Sequence, residues 1–268
     1  ECYKNLNRDA LDTYFAMARG YQGKEGDVPA LAMKKWFNTN YHYIEPELGA
    51  DTKIRLAGTK PFDEYLEAHA EGIQTKPVLI GPFTFLKLAR YQDGKKATDF
   101  VEDICKAYRE AVTKLEKLNV EWVQMDEPAL VTDLTKEDIV LFEALYKTLL
   151  SVKGTVKVLL QTYFGDVRDC YENLINLNFD GIGLDFLEGR KTWELVQKYG
   201  FPKDKILFAG LVNGKNIWKC DYEKVLSKLE ELKKNAKEIV LSTSCSLLHV
   251  PYTLKNETKL AEEIKQHF

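Results

Sequence analysis

From residue 76 onward the chain alternates short apolar, β-rich runs with amphipathic helical patterns, and this alternation restricts the fold more than any other feature. The strand candidates are Pro77-Val78-Leu79-Ile80, Trp122-Val123-Gln124-Met125, Val156-Lys157-Val158-Leu159-Leu160, Gly181-Ile182-Gly183-Leu184, Ile206-Leu207-Phe208-Ala209 and Ile239-Val240-Leu241. Between them, Phe100, Ile104, Tyr108, Ala111, Val112 and Leu115 recur every three to four residues, as do Tyr222, Val225, Leu229 and Leu232. Strands joined through helices make right-handed βαβ units and a parallel sheet with helices outside.

The strand ends separate a barrel from an open doubly wound sheet. No Gly-x-Gly-x-x-Gly follows the first strand and no phosphate-cradling Gly-rich Lys-Ser/Thr motif occurs. Instead, different polar or turn-forming clusters close the strands: Gly81-Pro82-Phe83-Thr84, Asp126-Glu127-Pro128, Gln161-Thr162-Tyr163, Asp185, Asn213-Gly214 and Ser244-Cys245-Ser246. Polar groups delivered by many strand ends to one face indicate an α/β fold of the (β/α)8 TIM-barrel type. About six βα units are countable, so the barrel is expected to be incomplete, with its first two strands missing. The first 75 residues do not supply them. Asp9 reads as the N-cap of a helix carrying Leu11, Tyr14, Phe15 and Ala18 and closed by Gly20, and residues 59–72 read as another helix. The aromatic run from Trp36 to Tyr43 reads as extended structure, suited to lie across the barrel mouth. The expectation is one partial barrel domain over 1–268, with 1–75 a helical and extended segment packed on the βα units of 76–268. An open barrel exposes two strand edges, so a companion segment is expected to cover them.

With 38 basic and 41 acidic residues, the chain lacks the basic excess of a nucleic-acid reader. No apolar run approaches the ~20 residues of a membrane-spanning helix. Cys2, Cys105, Cys170, Cys220 and Cys245 are odd in number, widely spaced and without a Cys-x-x-Cys pair, which suits a reducing cytoplasm rather than a disulfide framework. Cys105 and Cys170 fall among apolar positions at helical spacing and read as buried helix residues. The chain opens Glu1-Cys2-Tyr3, without Met or a targeting signature, and reads as a cut edge.

Several constellations carry possible chemistry. Asp126 and Glu127 end an apolar strand, where they would bind a substrate amine or act as acid and base; the alternative is a loop cap and an ordinary ion pair. Cys245 lies four residues before His249, offering a nucleophile or one metal ligand. The other histidines are His42, His69 and His267, and a tetrahedral site is reached only by invoking His42 and a carboxylate, so no metal site is expected. Lys34-Lys35 would bind an anionic ligand tail or form a solvated surface pair. Asn213-Gly214-Lys215-Asn216 is a turn first and a ligand loop second.

Five segments occur together and in order: residues 33–43 (Met33 through Tyr43, with Trp36-Phe37-Asn38-Thr39-Asn40), 76–82, 122–130, 209–218 and 244–249. The chain resembles the amino-terminal barrel of cobalamin-independent methionine synthase, 5-methyltetrahydropteroyltriglutamate–homocysteine S-methyltransferase, over nearly its whole length, truncated at the front. That resemblance implies part of a methyltransferase of methionine biosynthesis, moving a methyl group from 5-methyltetrahydropteroyl-triglutamate to homocysteine. It implies two face-to-face barrels, with zinc in a carboxy-terminal catalytic barrel that is absent here and none in this chain. The family's folate-tail lysine falls on Lys35. The zinc-bearing His-x-Cys position reads Thr162-Tyr163-Phe164, the Glu position reads Asp185, and only Cys245 remains. Asp126, Glu127, Asp185 and Cys245 are therefore worn-site residues, none of them catalytic, and the chain alone is expected to be inactive. A basic Arg-Glu-Leu-Lys type segment that contacts the folate tail in the family is missing. A non-catalytic folate-binding module, an inert remnant, and an independent barrel decarboxylase using Asp126 or Glu127 are the other readings.

Overall fold

The computed structural model describes residues 3, 6, 8–24 and 26–268. Glu1 and Cys2 lie outside the described residues. In chain order the elements are α1 (Ala10–Arg19), β1 (Met33–Lys35), β2 (His42–Ile44), β3 (Glu47–Leu48), α2 (Lys60–Ala70), β4 (Val78–Ile80), α3 (Pro82–Leu88) and β5 (Arg90–Tyr91). There follow α4 (Val101–Lys117), β6 (Trp122–Asp126), α5 (Lys136–Leu150), β7 (Lys157–Gln161), α6 (Tyr171–Asn176), β8 (Gly181–Asp185), α7 (Thr192–Tyr199), β9 (Ile206–Val212), α8 (Tyr222–Leu232), β10 (Glu238–Thr243) and α9 (Glu262–Lys265). The backbone divides into two compact units, residues 1–52 with 88–95, and residues 53–87 with 96–268.

In the first unit, the Asp9 carboxylate accepts the Asp12 backbone N–H at 2.8 Å and starts α1. Gly20 ends the helix at φ +75, a left-handed conformation that favours glycine. Leu6, Ala16 and Val28 form a small core, with Tyr3 and Tyr21 against it. The aromatic run is not one extended segment. It folds back as the antiparallel β1–β2 hairpin, because Phe37 adopts φ +50 and the Thr39 hydroxyl donates to the Trp36 carbonyl at 2.7 Å. Residues β3 and β5 add a short parallel pair.

The second unit is built on a six-stranded sheet in the order β10-β9-β8-β7-β6-β4, every adjacent pair parallel. Each strand falls on an apolar run identified in the sequence. The spatial order is the chain order, with no point at which it reverses. A doubly wound sheet must reverse at a switch point, so this sheet is an arc of a (β/α)8 barrel with six of eight strands.

Alternation along the strands assigns one face to the helices. Val123, Met125, Val158, Leu160, Ile182, Leu207 and Ala209 have no exposed surface on that side. Against the sheet-bearing layer α4 buries Ile104, Ala111, Val112 and Leu115, and α5 buries Leu141, Phe142, Leu145, Tyr146 and Leu149. Each fully buried aliphatic or aromatic side chain contributes about 1.5–3 kcal/mol relative to exposure. The opposite face carries Gln124, Asp126, Leu159, Gln161 and Phe208, and a Cβ added to Gly181 would come 2.8 Å from the Phe208 ring and 3.3 Å from Leu159. Cys105 is buried within α4. Cys170 is also buried, but it occupies the N-cap of α6 rather than a helical turn, because its φ of −135 is non-helical.

Strands β4 and β10 each have a single neighbour in this sheet. Val78 and Ile80 on one edge, and Val240 and Leu241 on the other, are exposed. Unpaired apolar edges template association. Replacing Leu241 with Lys is expected to slow light-scattering growth of concentrated protein while leaving the melting temperature nearly unchanged. Scattering that grows at the wild-type rate would show that this edge is not the site of association.

Candidate functional site

The carboxyl end of the six-stranded sheet gathers the carboxylates. Asp126 is the last residue of β6 and Glu127 the next, so the period of two sends them to opposite sides. Glu127 turns into the helix layer and has no exposed surface. Its carboxylate accepts the backbone N–H groups of Phe83 and Thr84 at 3.0 and 2.6 Å and the Tyr146 hydroxyl at 2.6 Å. The two amides belong to the first turn of α3, whose N–H groups have no partner within the helix. A Cβ on Gly81 would lie 2.1 Å from the Glu127 carboxyl group, so only glycine admits this approach. Burial pushes the Glu127 carboxyl up to about 7, while the hydrogen bonds from Thr84, Tyr146 and Phe83 hold it down.

Asp126 faces the other way and is only partly buried. It accepts Gln124 Nε2 at 2.7 Å and the Tyr163 hydroxyl at 3.2 Å. Burial raises its pKa, opposed by those two donors and by Lys76. Lys76 lies over the Phe208 ring at 5.0 Å. The pair adjacent in sequence is therefore divided: Asp126 borders the concave face, and Glu127 is sealed away from any ligand.

Asp185, 1% exposed, spends its oxygens on backbone. Oδ2 accepts the N–H of Phe164 at 3.1 Å, and Oδ1 accepts those of Leu187 and Glu188 at 2.8 and 2.9 Å. Burial still raises its pKa above the ordinary aspartate value. The Phe164 bond holds a non-glycine residue at φ +71, a sparsely populated conformation that its surroundings must enforce. Lys215 completes the mouth: Nζ lies 3.0 and 3.1 Å from the two Glu188 oxygens and 4.5 Å from the Phe164 ring centroid, and that ring meets His249 edge-on at 5.5 Å. Cys245 is buried, and burial raises its thiol pKa. Burial, with Lys215 second, lowers the pKa of His249. Thr162 donates to the Gly183 carbonyl at 2.8 Å.

These residues do not fit a metal ion. Asp185 is engaged by three amides, and a lysine ammonium paired with Glu188 stands at the mouth. Among the described residues no group of three His, Cys, Asp or Glu side chains is placed to hold one.

Lys35 belongs to the other unit. It lies on β1 opposite His42, while Lys34 lies opposite Tyr43. The alternation sends the two lysines to opposite faces of the hairpin. Lys34 pairs with Glu45, which is 2% exposed, and Arg90 approaches the other Glu45 oxygen at 3.0 Å without hydrogen-bond alignment. Arg90 also lies 3.6 Å from Glu47. Lys34 is thus committed to structure. Lys35 is exposed and forms no ion pair among the described residues. The turn behind it is well determined: Trp36 N–H donates to the Tyr41 carbonyl at 2.7 Å, and Tyr41 N–H to the Thr39 hydroxyl at 3.1 Å.

Lys35, Asp126, Glu127, Asp185 and Cys245 stand out by their place in the sequence, whereas Tyr146, Glu188, Glu45 and Arg90 carry no such local signal. No motif or spacing joins Tyr146 to Glu127, which lies 19 positions earlier. Glu45 and Arg90 are too far apart along the chain for a spacing argument to join them.

A family model described as the N-terminal domain of cobalamin-independent synthase matches residues 1–237. The chain is 55% identical to a Lactococcus lactis protein over 99% of its own length and 35% of that protein's. The corresponding figures are 58%, 96% and 34% for a Campylobacter jejuni protein, and 56%, 100% and 35% for one from Streptococcus thermophilus. Each of these relatives is named 5-methyltetrahydropteroyltriglutamate–homocysteine methyltransferase. The chain therefore spans about a third of the length of the curated relatives it matches. Among solved structures, a B12-independent methionine synthase from a Shewanella species, in complex with selenomethionine, superposes with a TM-score of 0.60 over 85% of this chain and 68% of that one. At 16% identity that likeness speaks for the fold alone.

The Glu127 site yields a pH prediction. Its folded pKa stands above the ordinary 4.5, so the stability linked to its proton is fully present below about pH 4.5 and is lost as pH rises through about 7. The loss is on the order of 3 kcal/mol. Urea unfolding of Glu127→Gln at pH 5 to 8 is expected to lack this slope, and a slope equal to wild type would refute the assignment.

Proposed function

Because the chain belongs to the cobalamin-independent methionine synthase family, as its amino-terminal domain, we propose that it serves an enzyme transferring a methyl group from 5-methyltetrahydropteroyl-triglutamate to homocysteine. Its own part is a barrel scaffold together with a cation, Lys35, that binds the folate's polyglutamate tail. One observation supports this reading: of the two adjacent lysines, Lys34 is neutralised by buried Glu45, whereas Lys35 projects exposed from a hydrogen-bonded hairpin with no ion pair among the described residues. An ammonium on a fixed backbone suits a chain of carboxylates.

The reaction breaks the bond between the folate N5 and its methyl carbon and forms a bond from that carbon to the homocysteine sulfur. Such a displacement requires an in-line approach, and holding the long tail restricts the freedom of the folate. The zinc that the family reading implies is assigned to the carboxy-terminal barrel, because the residues at this sheet's mouth do not fit it. Asp126, Glu127, Asp185 and Cys245 are taken as structural, a worn counterpart of a catalytic face. We place the protein in the cytoplasm, where the unpaired Cys105, Cys170, Cys220 and Cys245 stay reduced.

Calorimetry with 5-methyltetrahydropteroyl-triglutamate tests the binding role. Wild type should bind, and Lys35→Ala should bind about tenfold more weakly, as expected for loss of a charge-assisted contact. Lys34→Ala should instead lower the melting temperature, since it leaves Glu45 with one cation fewer. An absence of binding by wild type would leave an inert remnant. Methyl transfer by the chain alone would overturn the assignment of catalysis to another barrel.

A further inference from the structure

We propose that His42 is a second binding residue for the γ-glutamyl chain, acting with Lys35 from the facing strand of the β1–β2 hairpin. The proposal rests on the tail-binding reading of Lys35 and extends it to the residue across the ladder. Lys35 and His42 are direct partners in the antiparallel register. Directly opposed residues share one face, with Cβ atoms about 5 Å apart. Both side chains are exposed, and neither has a hydrogen bond or ion pair among the described residues. The ammonium and the imidazole therefore reach the same small volume of solvent.

The opposite face of the hairpin is already used. There Lys34 and Arg90 converge on buried Glu45, and Trp36 packs edge-on against Tyr43 with ring centroids 5.8 Å apart. This anchors one side of the ribbon and leaves the Lys35–His42 side open. The turn from Trp36 to Tyr41 is closed by its own hydrogen bonds, so little ordering accompanies ligand capture.

The next pair along this face is Met33 and Ile44, exposed and half-buried respectively. The ribbon thus presents two polar donors followed by two apolar side chains. A γ-linked glutamyl chain has the matching alternation, since each unit carries an α-carboxylate and two methylenes before its amide. Lysine binds a carboxylate as a point charge without directional demand, while an imidazole N–H donates along a defined direction in either protonation state. Together they fix where a carboxylate sits along the tail, and not merely that it is attracted.

The test is calorimetric titration of the chain with 5-methyltetrahydropteroyl-triglutamate and with its monoglutamate form. The variants are His42→Ala, His42→Lys, Lys35→Ala and, as a surface control, Lys24→Ala. His42→Ala is expected to weaken the triglutamate about fivefold and leave the monoglutamate unchanged, and His42→Lys is expected to restore binding. Thermal melts by circular dichroism should be equal for all variants, and a destabilised His42→Ala would pass the decision to His42→Lys. Wild-type affinity in His42→Ala beside a loss in Lys35→Ala overturns the role of His42 and leaves that of Lys35 standing. Failure of wild type to bind the triglutamate overturns the Lys35 reading itself. An equal loss for both ligand forms in His42→Ala also overturns the proposal, since the contact is then not with the tail.

Discussion

A carboxylate without water must be given donors, a proton or both, and Glu127 is given both. Its oxygens join the end of β6 to the first turn of α3 and to the Tyr146 hydroxyl of α5. The parallel pairing of β4 with β6 ends at this point, and Gly81 passes so close that no side chain fits there. When the carboxyl group takes up its proton, the Tyr146 hydroxyl can reverse from donor to acceptor, so the network survives titration. Removing the group would strand two helix-terminal amides in a layer otherwise formed by Phe83, Leu130 and Phe142, all without exposed surface. The geometry of the remaining strand ends is built outward from this fixed corner.

At the mouth of the sheet the polar side chains hold the fold together. Asp185 holds two loops through three amides, and the Lys215–Glu188 pair fills the space in front of Phe164. Charges are matched inside the protein rather than left for a substrate. The hairpin follows the opposite logic. Glu45 takes up Lys34 and Arg90 on one side, and the alternation of the strand leaves Lys35 beside His42 on the other. A single residue of register would exchange the structural lysine for the exposed one.

Much of the fold was legible because it depends on local patterning. Each of the six apolar runs became a strand, and the helices over Phe100–Leu115 and Tyr222–Leu232 appeared where apolar residues recur at helical spacing. The barrel followed from polar strand ends and the absence of phosphate-binding glycines, and the observed strand order bears it out. The aromatic run was misread as simply extended, since nothing local announces that Phe37 takes a left-handed turn. Cys170 was misplaced by one position for a similar reason: an N-cap shares the apolar surroundings of the helix it precedes.

The sequence by itself determined the six strands of the parallel sheet, the helices that alternate with them, and the family. Only the tertiary structure decided what each candidate site residue does. Asp126 and Glu127 are neighbours in the chain yet face opposite layers. Lys34 and Lys35 are neighbours yet one is held by Glu45, a carboxylate that also takes Arg90 from 45 positions farther along. Chemical role depends on partners, burial and direction, and these are set by segments that meet only when the chain is folded.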